Sequence, residues 1–171
     1  MGKGEVRGGR KLASAKTKKH EKETWDIAFY ADGEQVPADA FMRSIPSKPR
    51  RQLVVWILAV AAFPPYRFPA STMFQPMSQE GAVDMSGFHE TRDEHDGQLY
   101  RLLCIIDRHA ATKGCPNPVL AIIDGINKRV RTKVPDADYA RIKRLGEDYR
   151  ASNPRKVRRP LGLPGWLQPK A

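Results

Sequence analysis

Cysteine is scarce: the 171 residues hold two, Cys104 and Cys115. Two thiols cannot build a disulfide framework or a thiolate metal site of their own, and Cys104, inside an apolar run, reads as a small core residue. Long apolar runs are missing as well. The longest, Leu53 to Phe63 with Trp56 inside it, falls short of the roughly 18 residues that a membrane span needs, and Pro64-Pro65 follows it. The start of the chain is charged throughout and carries no apolar segment of the kind a secretory signal requires. Together these absences point to the cytoplasm. Several catalytic signatures are also lacking: no Gly-rich phosphate loop, no G-x-S-x-G elbow, no H-E-x-x-H and no Cys/His set at metal-ligand spacing.

What is present is material for one core and an uneven charge. A hydrophobic fraction of 40% over 171 residues suits a single domain. The net charge of +11 invites a nucleic-acid partner, but its distribution matters more than its size. Residues 1–22 hold eight lysines and arginines against two acids, and residues 151–171 hold five against none. The stretch between them balances seventeen of each sign, so the basicity belongs to the tails. Residues 1–22 have almost nothing apolar and read as a disordered basic tail. Residues 151–171 read as a basic, Pro-rich tail, in which Trp166 and Leu167 are the odd members: they either ride along or dock on the body or on a base. Residues 23–150 are left as the folded domain.

Within that domain the periodicity changes in order. Trp25, Ile27 and Phe29 alternate with Asp26 and Ala28, as in a half-buried strand. After an Asp32-Gly33 turn, Pro37 opens a helix with Val36, Ala40, Phe41 and Ile45 on one face. Ser44 to Pro49 breaks it, and a second helix runs from about Arg50 to Phe63 on Leu53, Trp56, Ile57, Val60 and Ala61. An irregular stretch, 64–85, has four prolines and room for a short strand near Met73 to Met77. Strands then follow at Phe88 to Asp93, Gln98 to Asp107 and Pro118 to Asn127, joined by turns at Asp93 to Gly97 and Arg108 to Asn117. Asp136 is placed to cap a last helix, Ala137 to Arg150. Consecutive strands with short turns predict an antiparallel meander. The expected fold is α+β, with two N-terminal helices on an antiparallel sheet of three to five strands and a C-terminal helix.

Two clusters can carry chemistry. The first is His89-Glu90-Thr91-Arg92 with Tyr100-Arg101. Alternation puts Glu90 and Arg92 on one strand face and His89 on the other, while Arg101 enters a nearly continuous apolar strand at the rim of the core. An ordinary cross-strand ion pair accounts for the same residues. The second is Lys128-Arg129-Val130-Arg131-Thr132-Lys133, four cations at a strand end, able to grip phosphates and stabilise a phosphoryl transition state, or simply a solvated charged loop. The His89-Glu90 and Glu94-His95 pairs are adjacent residues on a strand and cannot chelate one metal together.

The order F-H-E-T-R, then Y-R-L-L-C-I-I-D, then V-L-A-I-I-D-G-I-N-K-R-V-R-T-K-V-P and a closing helix resembles the core of the RelE/ParE toxin superfamily, in particular its phage-derived, HigB-like branch of type II toxin–antitoxin systems. W-D-I-A-F-Y and P-A-D-A-F fit as well, and the resemblance covers about residues 23–150. It implies a RelE-like, microbial RNase-like fold and, in many members, translation inhibition by cleavage of mRNA on the ribosome. There the 2′-hydroxyl attacks the adjacent phosphate without metal or cofactor. Carried onto this chain, the resemblance makes Glu90 the general base, sets Arg92 and Arg101 on the phosphate, and gives Lys128 or Arg129 the transition-state charge. Arg131, Lys133, Tyr100 and His89 would bind RNA. Where several relatives use a His or Tyr near the C-terminus, this chain has no His beyond His109, and Tyr139 is the nearest aromatic hydroxyl. The implied partners are the ribosome and mRNA and a helix-turn-helix antitoxin, through which the complex would contact DNA; no membrane is involved. A ParE-like inhibitor of DNA gyrase and a non-enzymatic phage or prophage nucleic-acid-binding protein remain as alternatives.

Overall fold

A computed structural model describes residues 25–62 and 74–158. The expectations for residues 1–22, for the Pro64-Pro65 stop, and for Trp166 and Leu167 lie outside the described residues.

The chain runs β1 (Asp26–Tyr30), α1 (Pro37–Ser44), α2 (Ser47–Ala62), β2 (Phe74–Pro76), β3 (Gln79–Glu80), β4 (Val83–Asp84), β5 (His89–His95), β6 (Gln98–Asp107), a short 3-10 turn (Ala110–Lys113), β7 (Val119–Arg129), α3 (Asp136–Ala151) and β8 (Val157–Arg158). Local chemistry accounts for most boundaries. Asp96 and Gly97, both at positive φ, form the two-residue turn between β5 and β6, the Asp-Gly pair that a tight hairpin favours. Pro49 does not break the second helix. It sits in the first turn of α2, where its missing N–H would have had no intrahelical partner anyway, so only Ile45 and Pro46 separate the two helices. On α1 the buried residues are Ala38 and Met42, whereas Ala40, expected on the inner face, is exposed.

The sheet corrects the expected fold class. An antiparallel sheet of three to five strands was expected; six strands are present in the order β2-β5-β6-β7-β1-β8, and the sheet is mixed. β1 runs parallel to β7, with Asp26 beside Val119 and Phe29 beside Ile122. A parallel pair needs a long crossover, which everything from Ala31 to Pro118 provides. The helices lie on both faces of this sheet. Alternation along the strands separates two cores: Phe29, Leu102, Cys104, Leu120 and Ile122 face α1 and α2, while Ala28, Tyr30, Leu103, Ile105, Ala121 and Ile123 face α3. The RelE-like, microbial RNase-like architecture implied by the resemblance is therefore not the one observed. The physical cause is β7, apolar on both faces and hence a central strand that needs a layer on each side and a neighbour on each edge.

Residues assigned to the C-terminal tail also enter the fold. β8 pairs antiparallel with β1, Val157 opposite Tyr30. The Arg155 guanidinium meets buried Asp107 at 2.9 Å. Among the described residues no helix is long and apolar enough to cross a membrane.

Candidate functional site

The pairing register decides which side chains share the α3 face. Between β6 and β7 it shifts at one point: Cys104 stands opposite Ile122, yet Leu103 stands opposite Asp124. Ile123 is the extra residue of a β-bulge, which lets two successive residues of β7 lie on one face. From there toward the strand end, Asp124, Ile126 and Lys128 fall on the α3 side, and Gly125, Asn127 and Arg129 on the other. Gly125 confirms the sense of the shift, because a Cβ there would run into the ring of Phe41 on α1. On β5 and β6 the α3 side takes Glu90, Arg92, Arg101 and Leu103.

Glu90 is the centre of the resulting cluster. Its side chain is 4% exposed, and Arg101 Nη1 lies 3.2 Å from its Oε2. Arg92 Nη1 is 3.8 Å from Oε1, which also accepts a hydrogen bond from Gln75 Nε2 at 2.8 Å. Gln75 is the cross-strand neighbour of Glu90 on β2. Arg101 Nη1 in turn donates to the Tyr139 hydroxyl at 3.0 Å, from α3. Burial pushes that hydroxyl up to about 12, Arg101 pulling the other way and the Glu80 and Glu90 carboxylates adding to the rise, so Tyr139 stays protonated at neutral pH. Two buried atoms of the cluster lack a hydrogen bond among the described residues, Glu90 Oε2 and Arg101 Nε. A second buried carboxylate, Asp124, is paired with Arg141 of α3 on the same face.

The arrangement presents a carboxylate between two guanidiniums, with a lysine further along the face. Such a set can take a proton at the carboxylate while cations hold an anionic centre next to it. Lys128 Nζ donates to the carbonyl of Thr132. Arg129, Arg131 and Lys133 are exposed, and Arg131 has a left-handed backbone, φ 64°.

Of the residues predicted from sequence, the structure brings together Glu90, Arg92 and Arg101, and places Lys128 on their face. It sets three apart. Arg129 lies on the opposite face at the strand end. Tyr100 is 5% exposed in the core under α1 and α2. His89 faces the same way, stacked on Phe74 at 5.1 Å between ring centroids, and burial lowers its pKa. Sequence reasoning missed Gln75, Glu80 and the Asp124–Arg141 pair, and assigned Tyr139 no role. Gln75 sat in a proline-rich stretch without periodicity, but Asp124-Gly125 inside an apolar strand was a usable bulge signal. Among the described residues no group of three or more His, Cys, Asp or Glu side chains gathers as metal ligands would. No family model, no curated protein and no solved structure matches the chain.

Proposed function

We propose that this protein is an endoribonuclease toxin that cleaves ribosome-bound mRNA without a metal and is silenced by an antitoxin. The observation that carries the reading is the Glu90 carboxylate held between Arg101 at 3.2 Å and Arg92 at 3.8 Å on a face that ends at Lys128. In this reading Glu90 takes the proton of a ribose 2′-hydroxyl, whose oxygen attacks the adjacent phosphorus. The P–O5′ bond breaks, leaving a 2′,3′-cyclic phosphate and a 5′-hydroxyl that receives a proton. Arg92 and Arg101 hold the phosphate oxygens, and Lys128 sits beside the developing charge. Support comes from this cluster and from the motif order described above, not from the fold, whose sheet departs from the expected one. The ribosome, the antitoxin and a cytoplasmic site of action belong to the same proposal.

One observation favours a second reading. Glu90 is 4% exposed, as a purely structural carboxylate would be, and a gyrase inhibitor that acts by binding alone would need no exposed base. Inducible expression in a bacterium separates the two. Growth arrest with mRNA cut inside reading frames, lost in Arg101→Ala, supports the nuclease. Arrest with DNA damage and intact mRNA supports gyrase inhibition, and absence of arrest overturns both.

A further inference from the structure

Two buried carboxylates stand in one row across the sheet. Glu90 of β5 and Asp124 of β7 are the cross-strand neighbours of Leu103 of β6, one on each edge, and all three face α3. Both acids are buried, and each is met by an arginine that reaches water. Arg92 Nη1 lies 3.8 Å from Glu90, and its side chain is 32% exposed. Arg141 donates through Nη1 to Asp124 Oδ2, with a side chain 44% exposed over an acid that is 5% exposed. Asp124 is held in turn by the Gly125 amide, which donates to its Oδ1 at 2.7 Å.

The cleavage chemistry uses Glu90, Arg92 and Arg101 and leaves Asp124 and Arg141 idle. A carboxylate inside the apolar run of β7 is a costly way to fill a core, since apolar residues of similar volume are often at least as stabilising. What the pair does supply is a fixed guanidinium. Such a group has five N–H donors, and among the described residues the only hydrogen bond from Arg141 leaves through Nη1. The other donors are presented at a set place beside the row. That place is two strands from Glu90, about 10 Å at the usual strand spacing, on the β7 side of Arg101. Arg101 Nε is itself buried without a hydrogen bond among the described residues, and buried polar atoms normally find partners. Arg101 Nη1 donates to Tyr139, two residues before Arg141 on α3. From Ile126, opposite Arg101, β7 continues on the same face to Lys128. The cations thus form a track across three strands.

We infer that Arg141 is a second phosphate-binding residue, fixed in place by Asp124, and that it takes a phosphate adjacent to the one held by Arg92 and Arg101. The ligand is then a single-stranded polynucleotide lying across β5, β6 and β7, not a mononucleotide. This rests on the RNA-cleaving reading for the strand's being RNA, while the second phosphate contact stands on the Asp124–Arg141 pair. Cations spaced along a track follow a backbone without reading its bases. Two anchored phosphates also fix how the strand lies, and with it the 2′-hydroxyl beside Glu90.

The test uses the full chain and a 2′-O-methyl RNA oligonucleotide, which cannot be cleaved, with affinity followed against salt concentration. Asp124→Asn/Arg141→Gln removes both charges of the pair, so net charge is unchanged and no buried charge is stranded. The double variant is expected to lower the slope of log affinity against log salt by about 0.7, one single-strand phosphate contact. Binding is expected to weaken about tenfold, the scale of a charge-assisted hydrogen bond. Arg51→Gln, which removes a cation from an exposed position on α2, across the sheet from α3, is expected to leave the slope unchanged. No binding by wild type, an unchanged slope in the double variant, or an equal loss in Arg51→Gln overturns the second phosphate site. A measurement independent of any folding defect comes from wild type. Its Arg141 Nε–H signal in NMR, identified by its loss in Arg141→Lys, is expected to shift and saturate with oligonucleotide; a signal that stays put overturns the site as well. Cleavage of unmodified RNA by wild type separates the two ideas. A chain that never cuts RNA yet loses slope in the double variant keeps the phosphate site and loses the nuclease. A chain that cuts RNA while the double variant binds like wild type keeps the nuclease and loses the site.

Discussion

Arg101 of β6 stands opposite Ile126 of β7, and Lys128 follows Ile126 on the same face. This pairing exists because Ile123 is bulged out of the ladder. Without the bulge the alternation of β7 would have turned Arg129 toward Glu90 and Arg101, and Lys128 away. Lys128→Ala is therefore expected to lower RNA cleavage by about tenfold to a hundredfold, the range of one stabilising contact to a transition state. Arg129→Ala should cost less than about threefold, as a peripheral phosphate contact. Single-turnover rates at saturating RNA check the order, and an Arg129 effect larger than that of Lys128 would mean that the bulge does not set the site.

How far the sequence reveals this arrangement depends on the range of the interaction involved. β6 reads correctly end to end, Gln98–Asp107, because an Asp-Gly turn and an apolar run are local signals. The opposite facing of Glu90 and His89 is equally legible, since it needs only the period of a strand. The parallel pairing of Asp26 with Val119 is not, because nothing near either residue names its partner. The unbroken apolar run Val119 to Ile123 did carry the information that β7 needs cover on both faces. The contacts of Gln75 and Tyr139 with the cluster depend on tertiary placement of β2 and α3 and have no local signature at all.

The Glu90–Arg101 pair is deep enough for its energetics to be measured. The two side chains are 4% and 12% exposed, so removing one leaves the other charge buried, a loss of about 3–5 kcal/mol. Glu90→Ala and Arg101→Ala should each reach that scale, while the double variant should lose less than the two combined. A coupling of at least about 2 kcal/mol from urea denaturation is the expected outcome. Strict additivity would show that solvent screens the pair and that the site is more open than its burial implies.

His89 gives the fold a pH dependence of definite sign. Burial lowers its pKa from the ordinary 6.5, and its Nδ1 has no hydrogen-bond partner among the described residues. In the unfolded chain the imidazole takes a proton as pH falls through about 6.5; in the folded protein it does so only at lower pH. The unfolded state thus binds more protons in that interval, and stability falls as pH drops below about 6.5. Urea midpoints measured at pH 7.5 and pH 5.5 should drop further in wild type than in His89→Leu. Equal drops would place the acid sensitivity on carboxylates instead.

The last described stretch of the chain is expected to matter as much as any core residue. Asp107 is buried and receives hydrogen bonds from the Tyr149 hydroxyl and from Arg155 Nε, each at 2.9 Å. The Arg155 guanidinium lies 5.1 Å from the centre of the Tyr149 ring and also donates to the carbonyls of Tyr149, Arg150 and Ser152 at the end of α3. One side chain thus neutralises a buried acid, satisfies carbonyls that a helix end leaves open and leads directly into β8. Arg155→Ala leaves Asp107 charged and buried with only two neutral donors, the Tyr149 hydroxyl and the His109 amide, at a cost of about 3–5 kcal/mol, while Arg158→Ala, which removes an exposed pair with Glu34, should cost under about 1 kcal/mol. Truncation after Ala151 should cost at least as much as Arg155→Ala, because it removes β8 along with Arg155. A truncated chain with the wild-type urea midpoint would return residues 152–158 to the status of a tail.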